Sequence, residues 1–323
     1  MLADGSIIEA TATNRHSDLF WALQAGGNSF CYATRFDIRT LVAPKVYVGM
    51  HFYGPSLSEP WLQATYNWAH YGSQQDPKSA IIPIVFYGSS VRHLGFPQPS
   101  PPIYTAFNFY NGNSSSPAAL ANFTAPNLPV IGSTWAYRSL SNFSLESQAS
   151  QSTASSKTRQ RFYAQAFRAD LDTMRAVHDI YMAAQQAQLA NVTELLSVFT
   201  YNVLSKGFIR ASNGARYGPG PQGIREDEVP LIWLEQNLAW SEPKDDGLMA
   251  RFVGEVNARI DQELRRRGTG SKHIYFNEAD EGQAGFDGYP EGNLRRMKAV
   301  RAMYDPHLVF TEQAPGGWKV EYA

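Results

Sequence analysis

Three stretches of this chain change character at every second residue. Val46–Tyr53 sets Val46, Val48, Met50 and Phe52 against Tyr47, Gly49, His51 and Tyr53. Ile103–Tyr110 sets Ile103, Thr105, Phe107 and Phe109 against Tyr104, Ala106, Asn108 and Tyr110. Leu231–Trp240 sets Ile232, Leu234, Gln236, Leu238 and Trp240 against Trp233, Glu235 and Asn237. A period of two belongs to a strand, whose side chains alternate across the pleat. Antiparallel sheets commonly bury one face and leave the other free. The greasier face of each strand is therefore expected under helices. The aromatic and polar face is either a cavity wall, since pockets are mostly aromatic with a few placed polar groups, or an ordinary solvated face.

Ile81–Tyr87 and Leu196–Leu204 add two expected strands. Two helical stripes supply a covering layer: Leu171, Met174, Val177 and Tyr181, then Met249, Val253, Val256, Ile260 and Leu264. These elements form the middle of three zones, 43–272, which also holds a Ser-, Asn-, Ala- and Pro-rich stretch at 111–160 expected as long surface loop. The first zone, 1–42, reads as a hairpin about Asp4-Gly5, a short helix Asp18–Leu23 capped by Ser17 or Asp18, a glycine loop at 25–29 and a strand Tyr32–Arg39. The last zone, 273–323, holds a strand His273–Phe276, a helix from Glu291 to Met303 and a Pro-Gly-Gly tail. The expected fold class is α+β: an antiparallel sheet with helices on one face, flanked by two terminal segments of a second domain.

Composition excludes several functions. The 28 basic and 29 acidic residues give no basic excess of the kind that grips nucleic acid. No run of about 18 apolar residues is long enough to span a membrane as a helix. The single Cys31 forms no intrachain disulfide and no cysteine zinc site. The seven His are scattered, with His70 and His93 reading as surface or loop residues, so no metal is expected. The opening residues lack a charged stretch followed by an apolar one, so they do not read as a signal peptide. The chain is expected to start partway into a structural element. Asn113, Asn122, Asn142 and Asn191 open Asn-x-Ser/Thr sequons, which fit a secretory parent. On the aromatic and polar faces, Glu235, Tyr104 and His51 are the candidate bases. Glu235, between Trp233 and Asn237, is either a desolvated carboxylate with a raised pKa or a solvated one paired with a cation.

Two separated stretches carry a resemblance. One runs Leu2-Ala3-Asp4-Gly5-Ser6-Ile7-Ile8-Glu9-Ala10, then Asp18-Leu19-Phe20-Trp21-Ala22-Leu23-Gln24-Ala25-Gly26-Gly27-Asn28-Ser29-Phe30, then Thr34-Arg35-Phe36. The other runs Tyr275-Phe276-Asn277-Glu278-Ala279-Asp280, then Tyr289, Asn293, Tyr304-Asp305-Pro306, Val309-Phe310 and Pro315-Gly316-Gly317-Trp318-Lys319. In this order they resemble the fungal FAD-linked oxidases, the berberine-bridge-enzyme-like members of the vanillyl-alcohol-oxidase family.

The resemblance implies a split PCMH-type FAD-binding domain whose N-terminal part and C-terminal return enclose an antiparallel substrate domain. It places Gly26, Gly27, Asn28, Phe30, Tyr275 and Asn277 beside FAD. It also implies an oxidoreductase that passes a hydride from a small-molecule substrate, a secondary metabolite or carbohydrate, to flavin and the electrons to molecular oxygen. The sequence departs from the family in three ways. The pyrophosphate loop and the flavin-attaching His that precede this region in the family are not in it, so the chain is expected either to be a fragment or truncated version of such an enzyme or to need the missing FAD half as a separate chain. Cys31 stands where the family has Gly, and Gln24 and Ala25 replace the usual Arg and Gly. The alternative is a flavin-free, redox-silent homologue that keeps only the small-molecule cavity.

Overall fold

A computed structural model describes residues 1–88, 101–152, 159–214 and 218–323, with the backbone alone for 147–152. His93 lies outside the described residues. In chain order the helices are α1 Ser17–Leu23, α2 Ser58–Asn67, α3 Ser73–Gln75, α4 Leu140–Ser152, α5 Leu171–Gln188, α6 Lys206–Asn213, α7 Asp246–Arg267 and α8 Glu291–Tyr304. The strands are β1 Val46–Tyr53, β2 Ser79–Tyr87, β3 Ile103–Tyr110, β4 Val130–Ser133, β5 Ala136–Arg138, β6 Arg159–Arg168, β7 Leu196–Leu204, β8 Leu231–Trp240 and β9 Gly270–Ser271.

The chain divides into two units. One combines Met1–Leu41, Phe208–Glu228 and Lys272–Ala323; the other combines Val42–Gly207 and Val229–Ser271. Sequence reading kept 208–228 in the middle zone. The structure joins it to the terminal segments, because their donors satisfy its carbonyls. The Trp21 indole donates to the Pro219 carbonyl at 3.2 Å and the Asn293 amide to the Pro221 carbonyl at 2.9 Å.

The larger unit is a nine-stranded sheet in the order β4-β1-β3-β2-β7-β8-β6-β9, with β5 also paired to β1, and its ladders are antiparallel. One face packs under α2, α5 and α7, where Trp61, Tyr181, Phe252 and Val256 meet Tyr104, Phe199, Leu234 and Ile232 in one apolar cluster. Helix α5 begins where the Asp170 carboxylate accepts from the Thr173 N–H at 2.8 Å, a cap worth about 1 kcal/mol. Helix α7 ends at Gly268, whose left-handed φ of 66° suits a residue without Cβ. Helix α4 touches the other face at its edge, with the Phe143 ring 5.4 Å from that of Phe107.

Four local expectations are corrected. The stretch 111–160 is not one long loop: it contains a 3₁₀ segment Ala118–Thr124, β4, β5, α4 and the start of β6. Residues 32–39 form no strand, and Tyr32, Phe36 and Ile38 are exposed. In place of a strand His273–Phe276 the chain makes a 3₁₀ turn at Phe276–Glu278. The N-terminal Asp-Gly turn closes through Leu2 N–H to Ser6 carbonyl, 2.8 Å, without extending into strands.

The smaller unit has its own core. Leu19, Trp21 and Ala22 of α1 pack with Phe30, Phe286, Tyr289, Met297, Val300 and Val320. Asp18 ties this core together: its carboxylate accepts from the Leu19 N–H and from the Tyr304 hydroxyl at 2.9 Å.

Candidate functional site

Register decides which side chains share a face. Tyr53 opposes Tyr104, Val85 opposes Tyr104 and Phe199, and Phe199 opposes Gln236. All of these lie on the face covered by helices. Glu235 opposes Thr200 on one side and Ala164 on the other, on the face those helices leave free. On β8 the greasy face is the covered one, as the sequence pattern predicts. On β1 and β3 it is the reverse: Met50, Phe52, Phe107 and Phe109 share the face of Glu235, while His51 and Tyr104 lie under the helices. The three candidate bases therefore do not line one cavity.

The Glu235 carboxylate is half-buried and bonded by the side chains of Thr200 and Asn202. Burial raises its pKa above the ordinary value, and the two hydrogen bonds pull the other way. Two residues along the strand, Asn237 keeps its side-chain oxygen buried with no hydrogen-bond partner among the described residues. Thr200 and Asn202 went unnoticed in the sequence, although period two along Leu196–Leu204 puts them on one face.

Tyr104 is locked into the core instead. Its hydroxyl lies 2.8 Å from His178 Nε2, and His178 Nδ1 lies 3.1 Å from the Asp179 carboxylate. With Nδ1–H donating to Asp179, Nε2 accepts from the phenol. Burial pushes the Tyr104 phenol up to about 12. His51 lines a small cavity on the same covered face with Asn108, Leu120, Phe123 and Trp135. Its ring is 5.9 Å from that of Trp135, its Nδ1 is buried without a partner, and burial lowers its pKa. His70, expected at the surface, bonds the Ala169 carbonyl at 2.7 Å.

The six candidate flavin contacts divide in the smaller unit. Phe30 is fully enclosed by the core, and Gly26 is buried against the Phe30 ring and the Ala22 carbonyl, where a Cβ would overlap both. The Asn28 side chain accepts from Lys319 at 2.9 Å and donates to the Gly316 carbonyl at 3.2 Å. Gly27 and Asn277 are exposed and Tyr275 is half-buried, with the Asn277 amide donating to the Tyr275 hydroxyl at 2.8 Å. Gly27, Asn28 and Asn277 are thus open to solvent and Tyr275 partly so, while Gly26 and Phe30 are packed inside the unit and the Asn28 side chain ties the glycine loop to the tail. Among the described residues no group of three His, Cys, Asp or Glu is placed to hold a metal, and no helix is long and apolar enough to cross a membrane.

Comparison with known proteins places this geometry in context. No family model matches the chain. It is 26% identical over 334 residues to the FAD-dependent monooxygenase prx3 of Penicillium roqueforti, covering 99% of the chain and 61% of that protein. It is 26% identical over 336 residues to the FAD-dependent monooxygenase tpcD of Cochliobolus heterostrophus, covering 99% and 60%. The chain thus spans about three fifths of the length of these curated relatives. Among solved structures, 6-hydroxy-D-nicotine oxidase from Arthrobacter nicotinovorans superposes with a TM-score of 0.64 at 17% identity, covering 96% of this chain and 63% of that one. Aclacinomycin oxidoreductase gives 0.64 at 15% identity, with 95% and 65% covered. A carbohydrate oxidase from Microdochium nivale gives 0.63 at 17% identity, with 96% and 63% covered. The fold is that of these oxidases.

Proposed function

We propose that this chain carries the substrate-binding sheet and part of the cofactor domain of an FAD-linked oxidoreductase acting on a small organic molecule, with Glu235 as the proton acceptor. One observation carries the reading: a desolvated carboxylate stands on the free face of a sheet whose fold is shared with flavin oxidases. The names of the curated relatives support FAD as the cofactor.

Bound FAD would supply the acceptor for a hydride from the substrate carbon and the route of the electrons to oxygen. Gly27, Tyr275 and Asn277 are the residues of this chain that would meet it, and the rest of the dinucleotide is left to polypeptide of the kind the longer relatives contain, in the same chain or a separate one. Glu235 takes the proton of a substrate O–H or N–H. Thr200 and Asn202 donate to its carboxylate and fix its orientation, while burial keeps it basic enough to act. Trp233, two residues along the same face, gives the substrate an apolar wall.

The test is Glu235→Gln in the FAD-loaded protein, read as oxygen uptake with a panel of aromatic alcohols and amines. Turnover is expected to fall by about 10²–10⁴-fold with fold and flavin content unchanged, as for loss of a general base. Turnover equal to that of the unsubstituted protein would sink the assignment.

A further inference from the structure

We propose that the free face around Glu235 takes a flat, predominantly apolar molecule that carries a hydroxyl or amine and no anionic group, and that it selects against sugars. This rests on the reading of that face as the substrate side.

Register gathers apolar side chains on this face. Phe86 and Val198 oppose one another across β2 and β7, Val198 opposes Asn237, and Asn237 opposes Phe162 across β8 and β6. Trp233 joins them on the same face, and all four apolar side chains are half-buried rather than sealed. A row of rings and a branched aliphatic across four neighbouring strands is a surface for a planar apolar body.

The polar part is specific. Thr200 and Asn202 already bond the Glu235 carboxylate. What remains on offer to a ligand is acceptor capacity: the free lone pairs of that carboxylate and the buried, unpartnered oxygen of Asn237 two residues away. Two acceptors on one strand face recognise a donor, an O–H or an N–H. The arginines that register puts on this face stand at its ends and are engaged. Arg168 donates to the Gly268 carbonyl, and Arg138 pairs with Glu146. An anionic ligand would therefore meet a desolvated carboxylate with, among the described residues of these strands, no free cation on this face to offset it. A disaccharide would bury many hydroxyls against rings that return few hydrogen bonds, losing its water without replacement.

The test is equilibrium binding to the full 323-residue chain, by calorimetry and tryptophan fluorescence, with four probes: 2-naphthol, 1-naphthylmethylamine, 2-naphthoate and cellobiose. The naphthol and the amine are expected to bind. The naphthoate is expected at least about 10-fold weaker, for one unfavourable charge contact, and cellobiose is expected not to saturate. Asn237→Leu should weaken 2-naphthol about 5-fold, the loss of one hydrogen bond. Cellobiose or naphthoate binding as tightly as naphthol, no naphthol binding, or an unchanged affinity in Asn237→Leu would each overturn the proposal. The two readings separate cleanly. If this ranking holds while Glu235→Gln keeps full turnover, the proton-acceptor role falls and the ligand class stands. If turnover collapses in Glu235→Gln but cellobiose is the preferred ligand, the class falls and the role stands.

Discussion

The ammonium of Lys319 reaches across 291 positions of sequence to donate to the Asn28 side-chain oxygen at 2.9 Å. It also donates to the carbonyls of Phe310 and Ala314, at 2.8 and 2.7 Å. One nearly buried cation thus closes the tail of the chain onto the glycine loop, and next to it the Val320 N–H donates to Ser29.

That arrangement makes Lys319 a structural residue. Lys319→Met keeps the stem but leaves three acceptors without their donor, two of them carbonyls. It is expected to cost about 2–4 kcal/mol, since hydrogen bonds to charged groups are worth about 1.5–3 kcal/mol each and the acceptors partly relax to water. Urea denaturation would measure it, and a loss under about 0.5 kcal/mol, the size of an ordinary surface substitution, would contradict the account.

Two glycines should respond in opposite directions. Gly26→Ala drives a methyl into the Phe30 ring and the Ala22 carbonyl, and is expected to destabilise by about 1–3 kcal/mol. Gly254→Ala lies on the exposed side of α7 with open space around it, and is expected to stabilise by about 0.5–1 kcal/mol through helix propensity. Thermal melting of both variants checks the pair. A Gly26→Ala variant that does not lose stability would contradict the close packing there, and a destabilised Gly254→Ala would contradict the open space around that position.

Stability should fall on mild acidification. Burial holds His178 below its ordinary pKa of 6.5 and outweighs the opposing Asp179 carboxylate. Just below pH 6.5 the unfolded chain therefore takes up a proton that the folded chain refuses. The stability is complete above that pH and is lost as the pH falls toward the folded pKa, by at most about 1.4 kcal/mol per pH unit for one group. His51 and the half-buried His273, both held below the ordinary value by burial, act with the same sign. Urea midpoints between pH 7.5 and 5 should show this slope, and His178→Gln should flatten it. An identical slope in the variant would remove His178 from the account.

Thr200→Val should move the acid limb of turnover upward in pH. The base form of Glu235 is lost as pH falls through its pKa. Burial has already raised that pKa, and Thr200 is one of two groups holding it down. Removing this donor raises it further, so the variant needs a higher pH for the same fraction of active carboxylate. A pH–rate profile whose acid limb coincides with that of the unsubstituted protein would show that Glu235 does not set it.

Three alternating strands, two further apolar strands, the two amphipathic helices and the free face of β8 are readable from the chain, because period and amphipathicity are local properties. Strand β6 was not: Phe162, Ala164 and Ala166 alternate with Tyr163, Gln165 and Phe167, and neither set is polar enough to mark a face. The side on which Tyr53 and Tyr104 lie was decided by tertiary structure. Both faces of β1 and β3 are apolar enough to be buried, and what selects one is the partner found for each phenol. Tyr53 donates to the Phe123 carbonyl 70 residues away, and Tyr104 meets His178 74 residues away. Buried hydroxyls need such partners, and no local pattern announces them. The same holds for Asn28. The resemblance puts it beside a cofactor, and only the fold shows that its side chain also bonds Lys319 and Gly316, because a buried ammonium must find acceptors wherever the chain brings them.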